Sequence, residues 1–429
     1  MRILFVAPGT SLHTVRWINQ LENSGIDVDL FPCEPYPLNP LLRNVTLHHP
    51  VFKRRPFEIR ELELFGLLVE PQPPESWRER VWSTKRFDPS VSQHGISWPF
   101  RAGPHDVEAT LARFFPAQLS RSARLAKTIQ RLQPDIVHSL EIVTSGFLTY
   151  AARAACGGSF PTWIVSNWGN DINLYGQLAS HQGMLRQTLS ACDYYQAECA
   201  RDVDLARGFG FTGEALPVVS NAGPLDLDLI EQQKQPGPSS ARRLILVKGY
   251  QHSVGRALVA LRALEMVADL LAGYRIAIFL PSPPVQMAAE LMSRRTGIPV
   301  ELLPFSSHDT MMRLHGQARI SLGVSISDGI PSSLVEAMAM GSFPIQSDSS
   351  CACEWITHGT TGLIVPTEDP RAVADAIRTA LVDDNLVDRA VEQNAAVIRE
   401  RVDARRVCPQ IAQTYKRVAE GRRHAQSSS

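Results

Sequence analysis

The 429-residue chain carries no net charge, because 43 basic residues balance 43 acidic ones. A surface built for nucleic acid needs an excess of cations, so composition gives no reason to expect that partner. No apolar run approaches the ~18 residues of a membrane span, so no integral membrane segment is expected, while peripheral contact with a membrane remains compatible. There is no cysteine framework either. Seven cysteines, an odd number, are scattered along the sequence, which reads as free thiols in a reducing, cytoplasmic setting, soluble or at the inner membrane face. Cys351-Ala352-Cys353 is the one close pair, and it lacks the second half of a zinc site, so it reads as small buried residues and no metal is expected. Met1-Arg2 followed by Ile3 to Ala7 opens like an export leader, but the run is too short and a polar helix follows, so it reads as a first strand. The sequon Asn44-Val45-Thr46 then reads as chance. Finally, the loop after that strand is Pro8-Gly9-Thr10-Ser11, without the G-x-G-x-x-G spacing of a dinucleotide site, which argues against NAD.

What is present is an alternating α/β pattern. Ile3 to Ala7 is a continuous apolar run, Leu12, Val15, Ile18 and Leu21 recur at helical spacing, Gly25 closes the helix, and Ile26, Val28 and Leu30 alternate. This is a βαβ unit, hence a parallel sheet. From Cys33 to about Pro116 the pattern dissolves into a Pro-, Arg- and Trp-rich stretch that includes Lys53-Arg54-Arg55-Pro56-Phe57, an expected helix over Glu58 to Leu68, and Trp77-Arg78-Glu79-Arg80-Val81-Trp82. It reads as an irregular surface insertion, with a binding element as the alternative. Strands are expected again at Ile136 to His138, Trp163 to Ser166, Tyr194 to Ala197 and Leu216 to Ser220.

Glu231 to Arg242 has a linker's composition, and beyond it a second alternating series runs. Its strands are expected at Leu244 to Val247, Arg275 to Leu280, Val300 to Pro304, Ile320 to Val324, Phe343 to Gln346 and Gly362 to Val365. The expectation is therefore two Rossmann-like doubly wound domains, residues 1–230 with the insertion over 33–116 and residues 243–400, facing a central cleft. A helix over 401–420 packs back on the first domain, and 421–429 forms a disordered tail.

The stretch Ser327-Asp328-Gly329-Ile330-Pro331-Ser332-Ser333-Leu334-Val335-Glu336 then stands out. It reads as a strand end, a tight turn and a helix with proline at its start and Gly341 at its end. Such a helix start offers unpaired N–H groups and a positive dipole end to an anion. Lys248 closes a buried strand and Arg256 opens the following helix, so cations join that site; Gly9, Thr10, His138 and Asp171 map to strand ends of the first domain. Cations with a helix start suit a diphosphate, and Glu336 suits ribose hydroxyls.

Asp328, seven residues, Glu336-Ala-Met-Ala, then Gly341, Pro344, Glu354 and Gly359-Thr-Thr-Gly362-Leu-Ile-Val-Pro366 resemble the retaining GT-B glycosyltransferases, and within them glycosyltransferase group 1 (family 4). The resemblance runs from Arg319 to Leu381, and looser matches fall at Ser11-Leu-His-Thr-Val-Arg-Trp, Pro134-Asp-Ile-Val-His138 and Trp168-Gly-Asn-Asp171. It implies a nucleotide-diphosphate sugar as co-substrate, with no cofactor and no metal. Glu336 would hold the ribose and Asp328 the sugar hydroxyls. Gly329, Ile330, Ser332 and Ser333 would approach the sugar and diphosphate, with Gly9, Thr10 and Asp171 also at the donor. Lys248, Arg256 and His138 would join Asp328 in catalysis. The acceptor would be a carbohydrate, a lipid-linked molecule or another small hydroxyl compound. Asp328 stands where the family more often has Glu, the family's paired Arg and Lys are out of register, and one histidine of its H-x-H-E is replaced in His138-Ser139-Leu140-Glu141. An NDP-sugar epimerase of the same fold and a non-catalytic sugar-binding or scaffold protein are the alternatives.

Overall fold

The computed structural model describes residues 1–54, 56, 87–97, 104–157 and 159–427. They form two compact units, one comprising the chain up to Pro224 together with Arg405 onward, the other Leu225–Ala404. The expected helix over Glu58 to Leu68 and the Trp77 to Trp82 stretch lie outside the described residues.

The first unit is an all-parallel eight-stranded sheet. Its strands are β1 (Arg2–Ala7), β2 (Asp27–Pro32), β3 (Thr46–Phe52), β4 (Ser92–Ile96), β5 (Ile136–Leu140), β6 (Thr162–Ser166), β7 (Tyr194–Gln196) and β8 (Glu214–Ala215), in the order β4-β3-β2-β1-β5-β6-β7-β8. Side chains of β1 alternate between two apolar layers, as a strand covered on both faces requires. Ile3, Phe5 and Ala7 meet Val15 and Ile18, and also Val407, Ile411, Tyr415 and Val418 of the C-terminal helix Ala404–Ser427. Leu4 and Val6 meet Leu125, Ile129, Leu185 and Leu189.

The second unit is a six-stranded parallel sheet. Strands β9 (Leu244–Lys248), β10 (Arg275–Phe279), β11 (Val300–Leu302), β12 (Ala318–Gly323), β13 (Phe343–Ser347) and β14 (Leu363–Val365) are ordered β11-β10-β9-β12-β13-β14. Both sheets are doubly wound, the two-domain Rossmann-like architecture of the GT-B fold. In each, the order reverses beside the first strand, between β1 and β5 and between β9 and β12. Loops leave the sheet in opposite directions there, which opens a crevice at the strands' carboxyl ends.

Several expectations change. The irregular stretch contributes β3 and β4, whose polar residues find partners: His48 Nε2 lies 2.5 Å from Asp29 Oδ1, and Arg131 Nη2 lies 2.9 Å from His48 Nδ1. The strand expected at Leu216 to Ser220 is instead β8, two residues earlier. The terminal helix passes through Gly421 to Ser427, since a helix already anchored by Tyr415 and Val418 extends at little further cost. The linker-like segment begins inside the helix Leu227–Gln233 and is then strapped to the second unit, so the contact boundary falls after Pro224. Ser239 Oγ donates to the Gly341 carbonyl at 2.6 Å, and Ser240 bonds Asp388 through N and Oγ at 3.0 and 2.7 Å. The free-thiol reading holds for Cys33, Cys156, Cys192, Cys353 and Cys408.

Candidate functional site

The crevice of the second unit is built from the ends of β9 and β12. The buried strand β12 leads into the loop Val324–Pro331, which is pinned from several sides. Ile326 N donates to Val254 O at 2.9 Å, Thr367 Oγ1 to Ser325 O at 3.1 Å, and Cys351 N to Gly329 O at 2.9 Å. Asp328 Oδ1 accepts from Gly329 N at 3.0 Å, closing the turn. The helix Ser332–Met340 follows, and no side chain caps its start, because its N-cap residue is Pro331. Its N–H groups therefore point toward the loop without a side-chain acceptor. Its other end is fastened: Gly341 takes φ 75°, and its carbonyl accepts from Ser239 and from Arg242 Nη1 at 2.7 Å. A buried guanidinium at the negative end of the helix dipole is favourably placed.

Lys248, at the end of β9, meets Asp328 across the switch point, with Nζ 3.2 Å from Oδ2 and 5.3 Å from the centre of the Tyr250 ring. Burial alone would lower the Lys248 pKa, but the Asp328 charge and hydrogen bond, with help from Tyr250 and Glu336, carry it above its usual value. Lysine is thus a fixed cation here. Burial, offset in part by Lys248, raises the Tyr250 hydroxyl, which stays protonated. Gly249 lets this loop lie close to its neighbours, since a Cβ there would stand 2.7 Å from both Ile278 Cγ2 and Pro281 Cα.

Glu336 lies on the second turn of the helix and is 8% exposed. Its Oε1 is 3.0 Å from His308 Nε2, and its Oε2 is 3.9 Å from His315 Nε2. Arg256 is used differently from Lys248. Its Nε pairs with Glu368 Oε1 at 2.9 Å and its Nη1 reaches the His252 and Gly255 carbonyls at 3.2 and 3.0 Å, so it braces the loop before its helix. Ile330 is buried, and Ser332 and Ser333 are half-buried at the helix start.

In the first unit Gly9 and Thr10 do follow β1 at the switch point. A Cβ on Gly9 would come within 2.2 Å of Leu38 Cδ2, and the Gly9 carbonyl accepts from Asn39 N at 2.8 Å. Thr10 Oγ1 donates to Glu34 Oε2 at 3.4 Å. Asp171 is a structural tie rather than a surface group: buried, it accepts from Ile142 N and Trp168 N at 2.8 Å each. Burial and the nearby Glu141 push its pKa well up.

His138 must be corrected. It lies within β5, 1% exposed, not at the strand's open end. Trp17 Nε1 donates to Tyr415 Oη at 2.8 Å, and that hydroxyl lies 2.7 Å from His138 Nδ1. On the other side, His138 Nε2 is 2.6 Å from Ser166 Oγ, which donates to Gln196 Oε1 at 2.9 Å. Donors run one way along this chain, so His138 is the neutral tautomer with its proton on Nε2. Burial pushes its pKa down to about 3. Both nitrogens are committed to the core, and none remains for substrate.

Residues 284–397 match the family described as Glycosyl transferases group 1, and residues 100–198 match the one described as Glycosyl transferase 4-like. The first match contains the whole Asp328–Glu336 unit and both histidines that face Glu336. Residues 284–397 thus form a region of the group 1 glycosyltransferase family.

Solved structures similar to this chain include sucrose-phosphate synthase from Thermosynechococcus elongatus, with 14% identity, a TM-score of 0.62, and 98% of this chain and 100% of that chain covered. Anabaena HepE in complex with UDP-glucose has 13% identity and a TM-score of 0.62, covering 97% and 99%. At such identities the likeness shows the fold alone. A curated relative, phosphatidyl-myo-inositol mannosyltransferase of Mycobacterium leprae, is 38% identical over 86 residues, 20% of this chain. The match spans only 23% of that relative's length.

Three residues of this candidate site were missed from sequence: Tyr250, His308 and His315. Tyr250 had a signal, since Lys248-Gly249-Tyr250-Gln251-His252 places an aromatic and two polar side chains directly after a buried strand. The two histidines had only their helical spacing of seven, which brings them to one face.

Proposed function

We propose that the protein is a retaining, metal-independent glycosyltransferase that moves a sugar from a nucleoside-diphosphate sugar to a hydroxyl acceptor. The observation that carries this is the Lys248–Asp328 pair beside the uncapped start of Ser332–Met340, with Glu336 one turn along the same helix. The relative solved with UDP-glucose supports a donor of this class.

In this reading the ribose hydroxyls donate to Glu336, and the diphosphate lies against the helix start and Lys248. The bond from the anomeric carbon to the diphosphate oxygen breaks, and its electron pair stays on the phosphate. Lys248 and the helix start stabilise that charge; such preorganised groups are worth ~100- to 1,000-fold in rate each. The acceptor oxygen bonds to the anomeric carbon from the same face, and its proton passes to a phosphate oxygen. Asp328 orients the sugar hydroxyls and holds Lys248, and Arg256 keeps the adjoining loop in shape. No described helix is long and apolar enough to cross a membrane, and we place the reaction in the cytoplasm or at the membrane's inner face.

The test is incubation with a panel of nucleotide sugars, following nucleoside diphosphate release with and without candidate sugar and lipid-linked acceptors. Acceptor-dependent release with the anomeric configuration kept is expected. Neither binding nor release for any donor would refute the assignment, while conversion of the donor to an isomer would make the protein an epimerase.

A further inference from the structure

Glu336 is nearly enclosed, and a carboxylate so placed is costly to leave without donors. Two histidines of the helix His308–Gln317 face it, two turns apart and in different surroundings. The side chain of His308 is 41% exposed and holds Glu336 Oε1 at 3.0 Å. His315 is fully buried, with Nδ1 3.4 Å from Ser321 Oγ. Its Nε2 makes no hydrogen bond and lies 3.9 Å from Glu336 Oε2, just beyond bonding distance. We propose that His308 occupies the place on Glu336 that the donor's ribose takes, and that His315 steadies the carboxylate while the two exchange. This rests on reading Glu336 as the ribose partner.

The asymmetry in burial gives the order of events. His308 can swing into water without leaving a buried group behind. A vicinal diol brings two O–H donors to the carboxylate it vacates. A small rotation of that carboxylate then brings Oε2 within reach of the waiting His315 Nε2, which cannot move away. His315 is thus a positioning residue, and His308 is a competitor that the donor displaces.

Competition of this kind depends on pH. Among the described residues, the charged or titratable groups around Glu336 include His308, His315 and Lys248, whose charge Glu336 supports. Further out, Asp309 pairs with Arg313, and Glu231 pairs with Lys234 on the neighbouring helix Leu227–Gln233. Histidines are the groups among these that ordinarily titrate between about pH 5 and 8. Burial holds His315 neutral, with its pKa pushed down to about 4. A charged imidazole at position 308 holds the Glu336 carboxylate more tightly than a neutral one does, at the donor's expense.

The experiment is calorimetric titration of the whole protein with UDP, GDP and ADP at about pH 8 and about pH 5.5. The wild type should lose about fivefold more affinity toward acid than His308→Ala, the size of an exposed ion pair. At the higher pH His308→Ala should bind at least as tightly as the wild type. Parallel losses in the two proteins, or weaker binding by His308→Ala at high pH, would overturn the proposal for His308. His315→Phe should bind about tenfold more weakly with the wild-type pH dependence kept, and His315→Gln, which retains an N–H donor, should restore most of that loss. Equal binding by His315→Phe and the wild type would overturn the positioning role. Failure of the wild type to bind any of the three nucleotides at either pH would instead sink the donor-site reading itself.

Discussion

His138 separates a structural role from a catalytic one, and His138→Phe is the substitution that does so. It keeps a ring in the core but removes both nitrogens. The Tyr415 hydroxyl then loses its acceptor and Ser166 Oγ its donor, although each keeps a second partner in Trp17 and Gln196. Two lost hydrogen bonds with partly unsatisfied buried hydroxyls cost about 2–5 kcal/mol. A second signature is the pH dependence. The folded-state pKa of about 3 lies below the ~6.5 of an unfolded histidine, so between these values the unfolded chain binds a proton that the folded one does not. The contribution of neutral His138 to stability is therefore complete above pH ~6.5 and is lost as pH falls toward 3. At pH ~5 the loss is ~1.5 pH units, or about 2 kcal/mol. His49, in the same unit, is also pushed by burial to about 3 and adds a loss of the same sign, so the variant should reduce the acid slope rather than abolish it. Equilibrium urea denaturation followed by tryptophan fluorescence suits the purpose, since Trp17 is buried edge-on to His138 with ring centres 6.0 Å apart. A variant with wild-type stability and an unchanged acid slope, yet with turnover cut about a hundredfold, would refute the structural assignment and return His138 to catalysis.

Glu336→Ala should weaken nucleoside diphosphate binding by about tenfold or more, and unchanged affinity in calorimetry would remove Glu336 from the ribose contact. Lys248→Met should cut turnover ~100- to 1,000-fold and also cost about 1–3 kcal/mol of stability, because it leaves the mostly enclosed Asp328 without its cation; steady-state kinetics well below the melting temperature, beside a thermal melt, would separate the two effects. Asp328→Ala should lower kcat more than nucleotide affinity, and the reverse pattern would assign Asp328 to nucleotide binding instead. Arg242→Met should destabilise the second unit by about 3 kcal/mol in denaturant, since it strips buried carbonyls of their donor; a change under about 0.5 kcal/mol would show the strap to be dispensable.

The parts of this fold that could be read from sequence were those whose signal is local. The apolar runs of β1, β9, β10 and β12, and the strand–turn–helix around Asp328 and Glu336, carry their pattern within a dozen residues. β3 could not be recognised that way, because Thr-Leu-His-His-Pro-Val-Phe is held by an aspartate on β2 and an arginine from a distant helix. His138 misled for a related reason: a histidine near a strand's end looks open until Tyr415, nearly three hundred positions away, closes over it. The linker composition of Glu231 to Arg242 likewise concealed a strap, since serine and arginine serve equally well in solvent and against buried carbonyls. Arg256 was placed at the site by its position in the chain, and only its partners show it bracing the loop.

The clamp on Gly341 sits in the segment that runs directly into β9, and β9 ends at Lys248. One short piece of chain thus fixes the rear of the helix Ser332–Met340 at its start and delivers the cation at its finish. It acts as a ruler, setting the spacing between the helix start and the lysine ammonium from a point one strand's length behind them. A lesion at Ser239 or Arg242 would accordingly misalign the helix start against Lys248 and register as poor diphosphate affinity, though neither residue belongs to the site.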